Sequence, residues 1–465
     1  MSAYARSHGS GRAHDGAAGE TRGLAVPGLL ACALLLCALL IGGGTRNHLF
    51  SDLIVQVLAA GVLIEGLRRL DWQALEPAAR QLLIVLGVAL ALPLLQWIPL
   101  PTALLAWFPG RAELWTRYAE LGVDLPAFAA WTLDANATLA SLRGLLPAAA
   151  LAVIGVQLDA AWLRRLALIV VVAALLMVPI GILQVAQGPH SGLRPYSPTN
   201  IHDAVGLFAN RNHYAGLLAA ALLMVLGSLI LDARREVAHK AGALRVLGWM
   251  VAGAMLLVGI ALSRSRAGLG LAVLIVSGML ALAFVRRRRH PQTFRWLLAF
   301  AVVGGLLAFQ FGFMAVADRL TQTSDLRWNV TGSVLALAGE YGWLGTGLGS
   351  FPATYAAHEP IDLVGARILN HAHNDWAELW VELGLLFLLP LLLFGRWAFQ
   401  RLRELIASGT VQPTTHALRM TGLGLIGCAA LHSLVDYPLR TTALSCVFVL
   451  ACLMAALPLH PRSLP

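Results

Sequence analysis

The stretch Leu166-Ala167-Leu168-Ile169-Val170-Val171-Val172-Ala173-Ala174-Leu175-Leu176-Met177-Val178-Pro179-Ile180-Gly181-Ile182-Leu183 decides the fold. It is bounded by Arg164 and Arg165 on one side and Gln184 on the other, and has no charge within it. About 20 such residues cross the hydrocarbon core of a bilayer as a helix. Working outward, similar runs recur along the chain at roughly 24–43, 51–66, 81–98, 144–158, 165–185, 213–231, 246–262, 267–285, 296–316, 377–395, 420–434 and 441–458. Composition agrees: 58% of the 465 residues are hydrophobic and 12% are charged, where a soluble domain carries about 25% charged. A soluble enzyme, a disordered chain and a fibrous protein are excluded. The expected fold is an all-α polytopic membrane protein of about 12 transmembrane helices.

Charge sets an orientation, because cytoplasmic loops are enriched in Lys and Arg. With the N-terminus inside, alternate segments hold 22 basic and 9 acidic residues inside and 12 basic and 15 acidic residues outside. The formal +10 thus becomes +13 inside and −3 outside. Both termini are expected in the cytoplasm, and the basic balance is an orientation signal, with no nucleic acid as partner. The expected organisation is a cytoplasmic tail over 1–23, helices 1–9 over 24–316, a long outer loop over 317–376, helices 10–12 over 377–458, and a second tail over 459–465. The first apolar run is full length, which favours a retained helix over a cleaved signal. Cys32, Cys37, Cys428, Cys446 and Cys452 all fall in spans with no metal-ligand spacing, so they read as packing residues.

The outer side carries the chemistry. Segment 99–143 holds Trp107, Trp115 and Trp131, which suit a short helix lying at headgroup depth. The 317–376 loop is longer than a connection requires, and such loops tend to be functional. Its part Leu326 to Leu337 reads as a helix. The turn Gly345-Thr346-Gly347-Leu348-Gly349 follows, with no strand before it, and reads as a tight turn rather than a nucleotide loop.

Several arginines stay outside against the inward bias. Arg211 stands in Asn210-Arg211-Asn212-His213, Arg264 and Arg266 in Ser263-Arg264-Ser265-Arg266, Arg440 in Asp436-Tyr437-Pro438-Leu439-Arg440, and Arg327 in the long loop. A guanidinium fork suits phosphate oxygens, and two helix N-termini expected beside these clusters favour anions. Together they suit a pyrophosphate. The other readings are snorkelling arginines and local ion pairs, such as Asp436 with Arg440. A second cluster, Asn370-His371-Ala372-His373-Asn374-Asp375-Trp376 with Glu378, closes the loop. A metal ligand set, a histidine proton acceptor and a helix cap at Asn374 or Asp375 are its three readings.

Residues 200–440 resemble the O-antigen ligase and polymerase superfamily, bacterial inner-membrane glycosyltransferases of the GT-C type. The resemblance rests on Asn210-Arg211-Asn212-His213, on Ser-Arg-Ser-Arg-Ala-Gly ending at Gly268, on the long outer loop and on the His-Ala-His-Asn cluster. The ligase-type motif runs from His373 and Asn374 through nine residues to Gly384, and ends on Phe387 where the family has Gly, Thr or Tyr. What the resemblance implies is transfer of a glycan from undecaprenyl diphosphate to an acceptor hydroxyl at the periplasmic face. The transfer is inverting, with no cofactor, metal or nucleotide. It implies His373 as base or orienter of the hydroxyl, Arg266 and Arg327 as diphosphate binders, and Arg211, Arg264, His371 and Asn374 as further substrate contacts. The acceptor would be a glycolipid, another lipid-linked repeat in a polymerase, or a protein hydroxyl in a protein O-oligosaccharyltransferase. A lipid-linked glycan transporter is the reading from another class. Against it, the spans are nearly free of the midplane charge that transporters carry, and no internal repeat is visible.

Overall fold

The structure is a computed structural model and describes residues 25–45, 50–197, 200–235, 240–310, 326–364, 368–408 and 412–459. The expected tail 1–23 and residues 460–465 lie outside the described residues. The chain is an all-α polytopic membrane protein. In order, the helices are α1 (Ala25–Ile41), α2 (Phe50–Arg69), α3 (Pro77–Trp97), α4 (Arg111–Glu120), α5 (Ala135–Gly155), α6 (Ala160–Gln187), α7 (Arg211–Arg235) and α8 (Lys240–Ser263). There follow α9 (Arg266–Val285), α10 (Pro291–Ala308), α11 (Leu326–Tyr341), α12 (Phe351–His358), α13 (Asp375–Leu383), α14 (Leu388–Ala407), α15 (Pro413–His432) and α16 (Thr442–Ala456).

Among the described residues, each of the twelve apolar runs falls at least in part on a helix; residues 311–316 of the run at 296–316 lie outside them. Among the described residues, eight helical segments are long and apolar enough to cross a membrane, and α1, α10 and α16 are shorter apolar helices. The run at 420–434 lies on α15, which starts earlier, at Pro413, in a polar first turn. One of the eight segments is composite: α13 and α14 are joined through a 3-10 turn, Gly384–Phe387. Helices satisfy their own backbone groups, which is what lipid demands. The entries of α5, α6 and α9 are capped by side chains: Asp134 accepts from Ala137 N, Asp159 from Trp162 N and Ser265 from Gly268 N.

The only sheet among the described residues is a hairpin of two three-residue strands, β1 (Pro99–Pro101) and β2 (Phe128–Ala130), paired antiparallel. It closes the 99–130 segment that carries α4. No apolar periodicity marks three residues ending in prolines, so sequence alone gives no strand there.

Helix α7 is the core of the bundle. Tyr214, Leu217, Leu218, Leu222, Val225 and Leu229 on it are fully buried, and α6, α8, α9 and α15 pack around it. Helices α1, α2, α5 and α16 pack together beside it. The N-terminal ends of α7, α9, α13 and α16 converge, and there the polar residues collect.

Candidate functional site

Helix α13 begins at a side-chain cap: Asn374 accepts from Trp376 N and Ala377 N, both at 3.1 Å. From that start Asp375, Glu378 and Glu382 share one helix face, three and four residues apart. All three are buried, and all three meet one guanidinium. Arg440 Nη2 donates to Glu382 at 2.8 Å and lies 3.4 Å from Glu378, while its Nε is 3.6 Å from Asp375. The expected local pair of Asp436 with Arg440 is therefore corrected. A 3-10 turn, Pro438–Arg440, separates the two side chains and sends Arg440 to α13. Burial alone would weaken its charge; Glu378, Glu382 and Asp375 more than reverse that and hold it more firmly protonated than an ordinary arginine.

Asp436 is the hub of the other half. It is fully buried, with Oδ1 3.3 Å from His373 Nδ1 and 3.9 Å from His213 Nε2. Asn212 Nδ2 donates to its second oxygen, and Tyr437 N donates at 3.0 Å. Burial opposes ionisation here. The hydrogen bond with His373 and the charges of His213, His373 and His432 win, holding the carboxyl below the usual range. The chain continues outward from Asn212, whose Oδ1 accepts from Ser265 Oγ at 2.8 Å. Ser265 also caps α9. Four separate stretches, 210–213, 263–266, 371–378 and 436–440, thus form one site.

Tyr437 stands at its centre. Three imidazole rings surround it, His371 at 4.2 Å, His213 at 4.8 Å and His373 at 5.1 Å between centroids. His371 and His373 engage different carboxylates. His371 Nδ1 lies 2.8 Å from Glu378 Oε1, and the other Glu378 oxygen accepts from Ala372 N at 2.8 Å. An Nδ1–H directed at a carboxylate leaves Nε2 with its lone pair, the form a proton acceptor needs.

Two non-glycine residues in the described chain have positive φ, and both are in this site: Arg264 (φ +50°) and His373 (φ +53°). Such conformations cost about 1–3 kcal/mol each and cluster at functional sites. At Arg264 the short connection between α8 and α9 leaves no room for an extended turn. Arg264 Nη1 lies 3.8 Å from Asp203, and Arg211, the first residue of α7, donates to the same buried carboxylate. Arg266 opens α9 and is exposed. The structure therefore brings together Arg211, Arg264, His371, His373 and Asn374. Arg327 lies in the first turn of α11, and its side chain lies outside the described residues, as do Arg319 and Arg367. Asp203, Asn212, Ser265 and Tyr437 were not singled out in the sequence, and Asp436 was read only as a partner for Arg440. Their signal was adjacency to the outward arginines.

The glycine-rich turn is a bracket for α13. Thr346 N and Gly347 N donate to the carbonyls of Val381 and Glu382 at 2.9 and 2.8 Å, and Gly349 N donates to Glu382 Oε1 at 2.9 Å. Gly384, the motif glycine, has φ +59°, and a Cβ there would stand 2.2 Å from Trp343 backbone atoms. Beneath the bracket lies a cavity of about 920 Å³ lined by Asn370, His371, Asp375, Glu378, Glu382 and Arg440 at its polar end. Largely apolar side chains of α3, α14 and α16 line it further, together with Asp52 and Gln56 of α2 and Arg143 of α5.

Residues 250–392 match the family model described as O-antigen ligase. The match includes the Ser-Arg-Ser-Arg turn and the His-Ala-His cluster; the stretches at 210–213 and 436–440 lie beyond it and join the site through space. No curated protein matches the chain. The match supports the O-antigen ligase superfamily and a ligase- or polymerase-like function in polysaccharide biosynthesis.

Proposed function

We propose that this chain, whose residues 250–392 match the O-antigen ligase family model, is a bacterial inner-membrane glycosyltransferase. It moves a glycan from undecaprenyl diphosphate to an acceptor hydroxyl at the periplasmic face. The termini lie in the cytoplasm under this reading, as the arginine distribution favours. The observation that carries it is the tie from His373 through Asp436 and Asn212 to Ser265, which holds a histidine base in one network with the arginine turn.

His373 Nε2 takes the proton of the acceptor hydroxyl. The freed oxygen pair forms the new bond to the anomeric carbon, and the bond from that carbon to the diphosphate oxygen breaks with inversion. Negative charge collects on the leaving diphosphate, where Arg264 and Arg266, with Arg327 from the loop, stabilise it as it develops. Arg211 is held by Asp203 and acts as a further contact, and His371 orients the acceptor. Asn374 caps α13 through its carbonyl, so it positions the histidine loop. A positioned base contributes about 10²–10⁴-fold.

The test is His373→Ala in purified, detergent-held protein. Transfer from a polyprenyl-diphosphate glycan should fall by about that factor with thermal stability retained; wild-type rates would remove the assignment. A ligase is favoured by the run from His373 to Gly384. Phe387, which departs from the ligase pattern, favours the polymerase and protein O-glycosylation readings. In a deletion strain, single repeats retained without a polymer ladder indicate a polymerase, and lipid-linked polymer left unattached indicates a ligase.

A further inference from the structure

The two flanks of the Tyr437 cluster hold different ionisable groups. The ionisable residues lining the cavity are the carboxylates Asp52, Asp375, Glu378 and Glu382, the guanidinium groups of Arg143 and Arg440, and His371. Asp375, Glu378 and Glu382 are all nine-tenths or more buried, and Arg440 is already engaged by them. A diphosphate entering here would have to displace these carboxyl groups from Arg440. Sugar hydroxyls would not: each can donate to a carboxylate or to an imidazole. Apolar side chains, among them Leu82, Leu86, Pro93, Leu391, Phe394 and Phe448, make up much of the remaining wall.

On the other flank Arg211 and Arg264 share the single carboxylate of Asp203, and Arg266 is exposed beside them. None of these arginines lines the cavity, and neither does His373. The imidazole that lines it is that of His371, packed on Tyr437.

We propose that the cavity receives the acceptor, and that the donor diphosphate stays on the arginine flank. The acceptor is an amphiphile whose apolar chains lie between α3 and α16. Its uncharged, hydroxyl-bearing sugar head is held at His371 and Glu378, with the reacting hydroxyl passing Tyr437 to His373. This rests on the glycosyltransferase reading above and adds which substrate class occupies which side.

The test uses the full chain in lipid nanodiscs and two labelled probes, dodecyl maltoside below its micellar concentration and farnesyl diphosphate. Ala89 lines the cavity on α3. Ala89→Trp should weaken dodecyl maltoside binding about tenfold or more and leave farnesyl diphosphate within about threefold. Val85→Phe, a smaller intrusion into the same wall, should act in the same direction if Ala89→Trp fails to fold. Arg264→Gln should do the reverse. Loss of farnesyl diphosphate binding in the cavity variants, mutual displacement of the two probes, or no saturable dodecyl maltoside binding would each overturn the assignment. Transfer by the wild-type protein is measured in parallel. The expected binding pattern without any transfer would overturn the glycosyltransferase reading and leave the chemistry of the cavity standing.

Discussion

Replacing Asp436 by Asn should disable the site while keeping its shape. The wild-type carboxylate accepts from Asn212 and Tyr437 and lies 3.3 Å from His373 Nδ1. When His373 takes a proton, that pair becomes an imidazolium beside a carboxylate. At an effective dielectric of about 20, two unit charges 3.3 Å apart attract by about 5 kcal/mol. The His373 side chain is 31% exposed, and solvent screening reduces this to about half. Losing about 2.5 kcal/mol corresponds to about 10²-fold in rate. The variant amide also points a donor at either Asn212 Nδ2 or His373 Nδ1, which favours the wrong imidazole tautomer and adds to the loss. The assay is the initial rate of glycan transfer by purified protein, with both substrates varied. A fall in kcat of about 10²-fold or more with little change in the donor KM is expected. Because Asp436 acts through His373, Asp436→Asn combined with His373→Ala should be no worse than His373→Ala alone. Transfer by Asp436→Asn within about threefold of wild type, or full additivity in the double variant, would refute the reasoning.

The same carboxyl gives a pH prediction. Its folded pKa lies below the ordinary carboxylate value, so its contribution to stability is fully present above about pH 4. That contribution is lost as pH falls through the folded value, and melting curves in detergent between pH 6 and 3 should show the gap between wild type and Asp436→Asn closing. Gly384→Ala should lower the melting temperature, because the positive φ alone costs about 1–3 kcal/mol and the added Cβ meets the Trp343 backbone. An unchanged melting temperature would mean that α13 and the glycine-rich turn are not held in register. Arg440→Met should destabilise by about 3–5 kcal/mol, the range for a broken buried ion pair, and Arg440→Lys should recover part of it. Thermal unfolding of the two variants measures both.

The membrane fold was legible because one physical requirement dominates it. A helix in lipid needs length and apolarity, and runs such as Leu166–Leu183 display both without any knowledge of their neighbours. Arg211, Arg264 and Arg266 drew attention for the converse reason, since an outward placement would set them against a bias that otherwise orders the chain. What pairs with what was not legible. Asp436 and Arg440 stand four residues apart, a spacing that suggests a pair on a helix. The turn at Pro438 removes the helix, and the two groups part toward α7 and α13. Asp375, Glu378 and Glu382 stand at helical spacing, but a lone periodic acidic face usually reads as solvated surface. Only the arrival of Arg440 across 58 residues of sequence makes that face an interior. The same holds for Asn212 and Ser265, ordinary residues that join the hydrogen-bonded chain to Asp436 once α7 and α9 start side by side. Long-range partners of this kind decide whether a histidine is a base or a cap. Here they give His371 and His373 different carboxylates and different flanks of Tyr437.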